Sequence, residues 1–315
     1  MITIENVHDF PARARGAYVT IGNFDGVHRG HARLISELVA RAEAVGAPAL
    51  AVTFHPHPAT FLRPDRIPDP LVWLEREIGL LRAAGVSDVA VFKTGPWLLE
   101  LSAREFFERV VMGQFGVRGM VEGPNFFFGR DRGGNVAVLR KWCDEAGIEL
   151  RVAEPLTTDD GRMISSSRIR ATLADGDVAE ARALLGRPHR VRGVVSHGAG
   201  RGAGIGVPTA NLDEIDVLIP ADGVYAARVL VPSADGSPPT RWPAACNIGP
   251  NPTFGEQARK VEAHLIGFRG DLYGQTLEMD LLRRLRPTRA FAGLDDLLDQ
   301  IGRDVEEALR VCEAE

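Results

Sequence analysis

Two histidines stand three residues apart directly after a glycine-containing turn in the stretch GNFDGVHRGH, residues 22–31. The preceding run AYVTI, residues 17–21, is apolar and rich in β-branched residues and predicts a buried strand. Apolar residues recur at helical spacing after the stretch, so it is predicted to join a strand to a helix. Because a helix N-terminus offers free N–H groups and a positive dipole end, His28 and His31 are candidates for phosphate binding.

Two other interpretations of this histidine pair are open from the residues alone. Histidines at positions i and i+3 also occur on solvated helix faces, and they can form half of a zinc site. The sequence offers no third ligand at metal spacing, and no CxxC pair occurs among the three cysteines, which are Cys143, Cys246 and Cys312.

A second candidate for phosphate binding is ISSSRIR, residues 164–170. Its hydroxyls and arginine lead into a helical pattern, where they can supply N-caps, exposed N–H groups and a fixed cation. An ordinary capped helix with solvated arginines is the alternative. Together with the histidine pair, this segment suggests nucleotidyl transfer, in which the enzyme orients ATP and stabilises charge on its α-phosphate.

The second half of the chain has a glycine at every second position in GAGRGAGIG, residues 198–206, which does not fit a P-loop. Thr209 and Asn211 follow it two residues apart. On an extended strand their side chains share one face, where hard oxygens could hold Mg²⁺. Glu262 alternates with apolar neighbours and is either an exposed strand charge or a general base aimed into a phosphate site.

The composition limits the class of protein. Of the 315 residues, 45% are hydrophobic and 25% are charged, and the net charge is −5. These values predict a soluble globular protein of about two domains and argue against a nucleic-acid partner held by a broad basic surface. Dispersed cysteines indicate reduced thiols and a cytoplasmic location. No apolar run reaches signal-peptide or membrane-spanning length, so no membrane partner is expected.

Apolar runs alternate with helical patterns up to residue 186, which predicts an α/β domain with a parallel sheet covered on both faces. The predicted strands include residues 48–54, 88–92, 117–123 and 148–154, and the predicted helices include residues 72–84 and 103–115. Such sheets bind ligands beyond the carboxyl ends of their strands, where the histidine stretch and FHPHP, residues 54–58, are expected to lie.

From residue 187 onward, short β-like runs separated by glycine- and proline-rich turns predict an all-β domain, a small barrel. Residues 232–243 are predicted to form a long hairpin loop, and an amphipathic stripe predicts a helix at the C-terminus. The predicted domains are therefore residues 1–186 and 187–315.

The motifs, taken in order along nearly the whole chain, resemble those of the bifunctional bacterial riboflavin kinase/FAD synthetase family. In the first half the resemblance rests on GNFDGVHRGH, FHPHP and ISSSRIR. In the second half it rests on GVPTAN, NIGPNPTF, VEAHL, DLYGQ and FAGLDDLLDQI.

For the first half, the resemblance implies a Rossmann-like nucleotidyltransferase domain that adenylylates FMN to FAD with ATP. It places the phosphates of ATP on His28 and His31 with no covalent intermediate. The residues implied to bind ATP are Gly22, Asn23, Phe24, Asp25, Gly26, His28, His31, Ser165, Ser166, Ser167 and Arg168. The residues implied to bind FMN are His57, Pro58 and Asn125.

For the second half, the resemblance implies a β-barrel kinase that phosphorylates the 5′-hydroxyl of riboflavin with ATP. Thr209 and Asn211 then resemble ligands of the Mg²⁺–nucleotide, and Glu262 resembles the base that takes the hydroxyl proton. The nucleotide loop is implied to include Gly198, Gly202, Gly206 and Pro208. The expected partners are riboflavin, FMN and ATP, the expected cofactor is Mg²⁺, and a homo-oligomer is compatible with the sequence.

Two motifs depart from the pattern of this family. GPNFFFG has Asn125 and Phe127 where family members commonly have an acidic and a basic residue. GAGRGAGIG has Ala199 and Ala203 where they often have an aspartate and an arginine.

These departures leave two alternatives to the bifunctional enzyme. One is a riboflavin kinase whose first domain binds nucleotide but is impaired in FAD synthesis. The other is a non-catalytic flavin-binding regulator, against which Thr209, Asn211 and Glu262 argue, because flavin storage needs neither Mg²⁺ ligands nor a base.

Overall fold

The computed structural model describes residues 1–5, 14–198, 201–204, 206–233, 235–251, 253 and 257–315. The chain divides into two compact units. The first comprises Met1–Pro68 and Trp73–Ser165, and the second comprises Asp69–Val72 and Ser166–Glu315. The second unit therefore includes two helices, Ser166–Ala174 and Val178–Leu185, which the predicted boundary at residue 186 places in the first domain. The domain limits 1–186 and 187–315 stay predictions.

The strands of the first unit are β1 (Ile2–Ile4), β2 (Tyr18–Ile21), β3 (Ala49–His55), β4 (Asp88–Lys93), β5 (Gly119–Glu122), β6 (Phe127–Phe128), β7 (Gly134–Asn135) and β8 (Glu149–Val152). Six of them form one sheet in the spatial order β1-β4-β3-β2-β5-β8, and all of its pairs are parallel. The other two, β6 and β7, pair as a separate antiparallel ribbon. The predicted parallel sheet is confirmed.

The helices of the first unit are α1 (Arg29–Ala44), α2 (Ala59–Leu62), α3 (Leu74–Ala83), α4 (Pro96–Leu99), α5 (Ala103–Glu105) and α6 (Val136–Ala146). A π-helical segment, Phe106–Phe115, continues α5. Successive strand residues point to opposite faces of a sheet, so each strand contributes to two cores. Tyr18 packs in the core beneath α1 and α3, whereas Val19 packs in the core beneath Phe106–Phe115 and α6.

The direction of chain progress reverses at the centre of this sheet. From β2 the chain builds β3 and β4 on one side, and then β5 and β8 on the other side. A crevice is expected at such a switch point, beyond the carboxyl ends of the two strands where the order reverses. The turn at residues 22–28 follows β2, and the segment at residues 123–126 follows β5, so both motifs lie at this edge.

The second unit contains α7 (Ser166–Ala174), α8 (Val178–Leu185), β9 (His189–Ser196), α9 (Arg201–Gly204), β10 (Ala210–Asp213), β11 (Gly223–Val231), β12 (Thr240–Gly249), β13 (Lys260–Leu265), β14 (Thr276–Arg286) and α10 (Leu294–Glu313). Its strands close into an antiparallel barrel in the order β10-β13-β12-β11-β14-β9. Ala308 and Val311 of α10 pack with Ala226 and Leu282 of the barrel. The predicted barrel and its terminal helix are confirmed.

One predicted loop is shorter than expected. Residues 240–243 belong to β12, where Thr240 pairs with Val231 and Pro243 pairs with Arg228 of β11. The prolines and polar residues of this stretch favour a loop, but cross-strand pairing with β11 extends the hairpin through them. Among the described residues, no helix combines the length and apolar character needed to cross a membrane.

Candidate functional site

The turn between β2 and α1 is held by backbone hydrogen bonds. The N–H of Gly22 donates to Val52 O at 3.0 Å, and the N–H of Val27 donates to Phe24 O at 2.7 Å. Gly26 and Val27 both have positive φ angles, +83° and +38°. A β-branched residue rarely adopts this conformation, so Val27 indicates backbone strain at this turn. Such strain is common where a backbone is shaped around a ligand.

His28 and His31 form one structural group at the start of α1. The Nδ1 of His28 accepts the backbone N–H of His31 at 3.3 Å, so His28 is the N-cap of the helix. Their rings stack with centroids 3.6 Å apart, and Phe24 packs edge-on against His31. The spacing i and i+3 brings the two rings into the stack, whereas the cap uses only the side chain of His28 and the backbone N–H of residue 31.

Gly30 leaves room for this histidine pair. A Cβ at this position would lie 3.1 Å from the ring of His28 and 3.5 Å from the carbonyl oxygen of Ile164. The same contact shows that Ile164, the first residue of ISSSRIR, lies beside the first turn of α1. The structure therefore brings the start of the second phosphate-binding candidate to the histidine pair.

The remaining residues of that candidate are divided between the units. Ser165 ends the first unit, whereas Ser166 and Ser167 begin α7 in the second. Within the second unit the largely buried guanidinium of Arg168 donates to Glu180 of α8 at 2.7 Å. Contact of these residues with ATP stays a prediction.

A buried carboxyl lies close to the turn between β2 and α1 and was missed from the sequence. Glu77 of α3 accepts a hydrogen bond from Thr53 Oγ1 at 2.6 Å. Burial raises the pKa of Glu77 to about 7, and the charge of Asp25 in the turn acts in the same direction. The signal in the sequence was a glutamate on the apolar stripe of a predicted helix, beside Ile78 and Leu81.

A second missed carboxyl lies between the two strands of the switch point. The pairing of β2 with β5 ends at Val19 and Met120, two residues before each strand ends. The N–H of Ile21 donates instead to the side-chain Oε1 of Glu122 at 2.9 Å. Glu122 is fully buried, and burial holds its pKa well above the usual value. Its side chain thus replaces a strand-to-strand backbone hydrogen bond at the switch point.

The residues implied to bind FMN lie at the same edge of the sheet. His57 follows β3 and accepts the N–H of Ala59 at 3.0 Å, and Pro58 is the N-cap of α2. Asn125 is exposed after β5. Two residues further on, the ring centroid of Phe127 lies 4.0 Å from the guanidinium of Arg132. A cation is therefore present beside Phe127, which occupies a position where family members commonly have a basic residue. FMN binding by these residues stays a prediction.

In the barrel, Glu262 lies in a row of amide side chains. Its cross-strand partners are Asn211 of β10 and Asn247 of β12. Residues paired directly across neighbouring strands share one face of a sheet. Asn251, which follows β12, donates from Nδ2 to Glu262 Oε2 at 2.9 Å, and Asn247 donates from Nδ2 to Asn251 Oδ1 at 3.3 Å.

Gly198 and Gly202 of the predicted nucleotide loop allow the backbone to approach the candidate metal ligands. A Cβ at Gly198 would lie 2.3 Å from Nδ2 of Asn211, and a Cβ at Gly202 would lie 3.4 Å from Oγ1 of Thr209 and 2.4 Å from Val207 O. Residues with side chains are therefore excluded from both positions. This cradle, with hydroxyl and amide oxygens close to a carboxylate, fits a Mg²⁺-bound polyphosphate.

Gly206 and Pro208 also belong to the predicted nucleotide loop. Gly206 has a φ of +80°, and Pro208 is held by its carbonyl oxygen, which lies 2.8 Å from Nδ1 of His264. Ala199 and the side chain of Ala203 lie outside the described residues. In the described part of the chain, no group of three or more His, Cys, Asp or Glu side chains could hold a metal ion. The histidine pair therefore has no such third ligand there.

A parallel sheet with a switch point and a closed barrel that pairs Glu262 with Asn211 and Asn247 define a two-unit α/β and β-barrel protein with a candidate site in each unit. Residues 10–168 match the family described as FAD synthetase, and residues 185–312 match the family described as riboflavin kinase. The chain belongs to the family of bifunctional riboflavin kinase/FMN adenylyltransferases.

Three relatives with that description support this membership over nearly their full length. The protein of Pseudomonas fluorescens is 36% identical, over 98% of this chain and 97% of that protein. The protein of Escherichia coli K12 is 34% identical, over 96% of each chain. The protein of Bacillus subtilis is 35% identical, over 93% of this chain and 91% of that protein. Matches to both halves do not favour the alternative of a kinase alone.

A solved structure supports the fold of the whole chain. It is described as a macrolide-efflux protein from Streptococcus pneumoniae and is 31% identical to this chain. The TM-score is 0.84, and the match covers 97% of this chain and 98% of that one. The arrangement of elements is therefore shared with an experimentally determined protein.

Proposed function

We propose that this chain phosphorylates riboflavin to FMN in its second unit and adenylylates FMN to FAD in its first unit, with ATP as the donor in both reactions. The observation that carries the proposal is the joint match of the two halves to a FAD synthetase and a riboflavin kinase family. The geometry of each unit supports a distinct role for its own residues.

In the first unit, the N-terminus of α1 holds the phosphates of ATP. His28 and His31 stabilise the charge that develops on the α-phosphate while a phosphate oxygen of FMN attacks it and pyrophosphate leaves. The turn residues 22–26 and Ser165 of the same unit lie around the nucleotide. His57, Pro58 and Asn125 contact FMN. The stacked cap and the neighbouring carbonyl of Ile164 support this arrangement.

In the second unit, Glu262 accepts the proton of the riboflavin 5′-hydroxyl while its oxygen attacks the γ-phosphate of ATP and ADP leaves. The loop of Gly198, Gly202, Gly206 and Pro208 covers the nucleotide. Thr209 and Asn211 would hold Mg²⁺, which would neutralise charge on the phosphates of ATP during transfer of the γ-phosphoryl group.

The setting of the reaction follows from composition. The dispersed cysteines and the net charge of −5 support a cytoplasmic enzyme whose partners are small molecules rather than nucleic acid or membrane. Residues 187–315 form the kinase domain in this proposal, and residues 1–186 form the adenylyltransferase domain. The chain is compatible with a homo-oligomer.

The test is a product analysis of the purified full-length chain. Riboflavin, ATP and Mg²⁺ are added and the flavins are separated by chromatography over time. We expect FMN first and then FAD. FMN alone would contradict the assignment of the first unit, and the absence of both products would contradict catalysis by either unit.

A further inference from the structure

We propose that Asn251 is a positioning residue of the kinase site: its amide holds one oxygen of Glu262 so that the other is left for the riboflavin hydroxyl. Asn247 in turn orients the amide of Asn251. This inference rests on the proposed role of Glu262 as the base. It gives a function to Asn247 and Asn251 of the NIGPNPTF motif, which have no role in the proposed mechanism.

The hydrogen bonds fix the orientation of the amide. Asn247 donates to Oδ1 of Asn251, so Nδ2 of Asn251 is the end that faces Oε2 of Glu262. With the amide reversed, its carbonyl oxygen would face the carboxylate and its NH₂ group would face the NH₂ group of Asn247. Both contacts would be repulsive, so the chain of donors from Asn247 to Glu262 has one favourable direction.

The strand register places this chain beside the candidate metal ligand. Asn247 and Asn211 flank Glu262 on opposite sides, because both are its cross-strand partners. The carboxylate thus lies between a candidate Mg²⁺ ligand and the pair of asparagines. If Asn251 holds Oε2, the proton is taken by Oε1, and the side chain has little freedom to rotate away from the hydroxyl.

A neutral amide suits this task better than a cation does. A lysine or arginine beside a general base lowers its affinity for a proton, whereas an amide orients the carboxylate with a weaker effect on its charge. Holding a reacting group in place increases the rate of the chemical step strongly, since displacement by about 1 Å can reduce the rate about 100-fold.

The test is a double-mutant cycle in the full-length chain, with N251A, E262Q and N251A/E262Q. We expect N251A to lower the kinase kcat about 10- to 100-fold, with a much smaller change in the KM for riboflavin. In the E262Q background, N251A should change the residual kcat by no more than about twofold, because the residue acts through Glu262. FAD formation from supplied FMN is the internal reference for enzyme concentration in every variant, and thermal unfolding reports whether the second unit is folded.

Two further variants make the test independent of folding defects. N251D keeps the shape of the side chain but places two carboxyls together, so it should lower the kinase kcat at least as much as N251A, and it replaces N251A if that variant is insoluble. Q300A is a matched control, because Gln300 of α10 also donates an amide hydrogen bond to a carboxylate, Asp304, at 2.8 Å. Its kinase kcat should equal that of the wild type.

The outcomes separate this inference from the function on which it rests. If E262Q loses kinase activity and N251A or N251D does not, the role of Asn251 is wrong and that of Glu262 stands. If N251A lowers kcat by the same factor with and without E262Q, Asn251 acts independently of Glu262 and the inference is overturned. If E262Q keeps the wild-type kcat, the base assignment fails and the inference fails with it.

Discussion

The imidazole rings of His28 and His31 stack in the first unit with their centroids 3.6 Å apart and 17° between the ring planes. The two residues are also joined through the backbone, because His28 caps the helix by accepting the N–H of His31. His28 thus has a structural task as the cap, whereas the side chain of His31 takes no part in the cap. The two histidines are expected to differ when each is removed.

Replacement of His31 tests its role in FAD synthesis. H31A should lower the kcat of FAD formation about 100-fold and raise the KM for ATP by a smaller factor. The reason is that His31 stabilises the transition state more than it stabilises bound ATP. The kinase reaction should be unchanged. Alanine favours helix and keeps the backbone N–H that His28 accepts, so α1 should persist. Steady-state kinetics of both half-reactions measure these effects.

The control for H31A is R33A, since Arg33 is exposed on the same helix and should leave both reactions unchanged. Equal FAD synthesis by H31A and wild type would contradict the role of His31 and favour a solvated helix face. Metal in the purified protein, with loss of activity to a chelator in excess Mg²⁺, would favour the zinc interpretation instead.

Gly30 offers a test of the space beside His28. G30A should lower FAD formation despite the better helix propensity of alanine, because the new Cβ would lie 3.1 Å from the His28 ring. G79A in α3 is the matched control, as no atom beyond the adjoining residues and backbone of α3 lies within 4 Å of its Cβ. It should stabilise the first unit by about 0.5–1 kcal/mol with unchanged FAD synthesis. Equal rates of FAD formation by G30A and G79A would show that the close contact between residue 30 and the His28 ring does not affect FAD synthesis.

Glu77 makes the stability of the first unit depend on pH. Its folded pKa is raised from 4.5 to about 7, so the folded state binds more protons than the unfolded state between these values. The stabilising contribution of the protonated carboxyl is complete below pH 4.5 and is lost as pH rises through about 7. A pKa difference of this size corresponds to a change on the order of 3 kcal/mol.

E77Q removes this titration and should therefore gain stability relative to wild type as pH rises from about 5 to about 8. Urea unfolding of both proteins at several pH values measures the difference. Trp73, Trp97 and Trp142 lie in the first unit, so tryptophan fluorescence reports mainly on it. Glu122 is present in both proteins and its effect cancels. A difference independent of pH would contradict the assignment.

Two fragments test where the kinase domain begins. A fragment of residues 166–315 retains α8, which buries Val178, Ala181, Leu184 and Leu185 in the second unit. A fragment of residues 187–315 lacks α8 and loses these contacts. Its free energy of unfolding should be lower by about 1.5 kcal/mol or more for each large side chain of α8 whose burial is lost. Both should form FMN and no FAD. Equal thermal stability would support the boundary at 186.

The sequence was sufficient for the parts of the fold that rest on local pattern. The switch from β2 to α1 could be predicted because an apolar run, a glycine turn and a helical stripe follow one another within 17–45. The grouping of α7 and α8 with the barrel leaves no local signal in the sequence. An amphipathic pattern indicates a helix and not the unit against which the helix packs.

The partners of the site residues were predictable only in part. The candidacy of Glu262 came from its alternation with apolar residues, but its contact with Asn251 depends on the register of β12 with β13 and on the loop between them. Glu122 was placed within a predicted strand, yet its bond to Ile21 requires the pairing of strands that are 101 residues apart in the chain. Such long-range pairing leaves no local signal.

The most direct test compares both half-reactions in wild type and E262Q. In the proposed mechanism each unit performs one reaction, and Glu262 serves the kinase reaction alone. E262Q should form FMN from riboflavin about 10²- to 10⁴-fold more slowly than wild type, because glutamine cannot accept the hydroxyl proton. Supplied with FMN, it should form FAD at the wild-type rate. Wild-type FMN formation by E262Q, or equal loss of both reactions, would contradict the account.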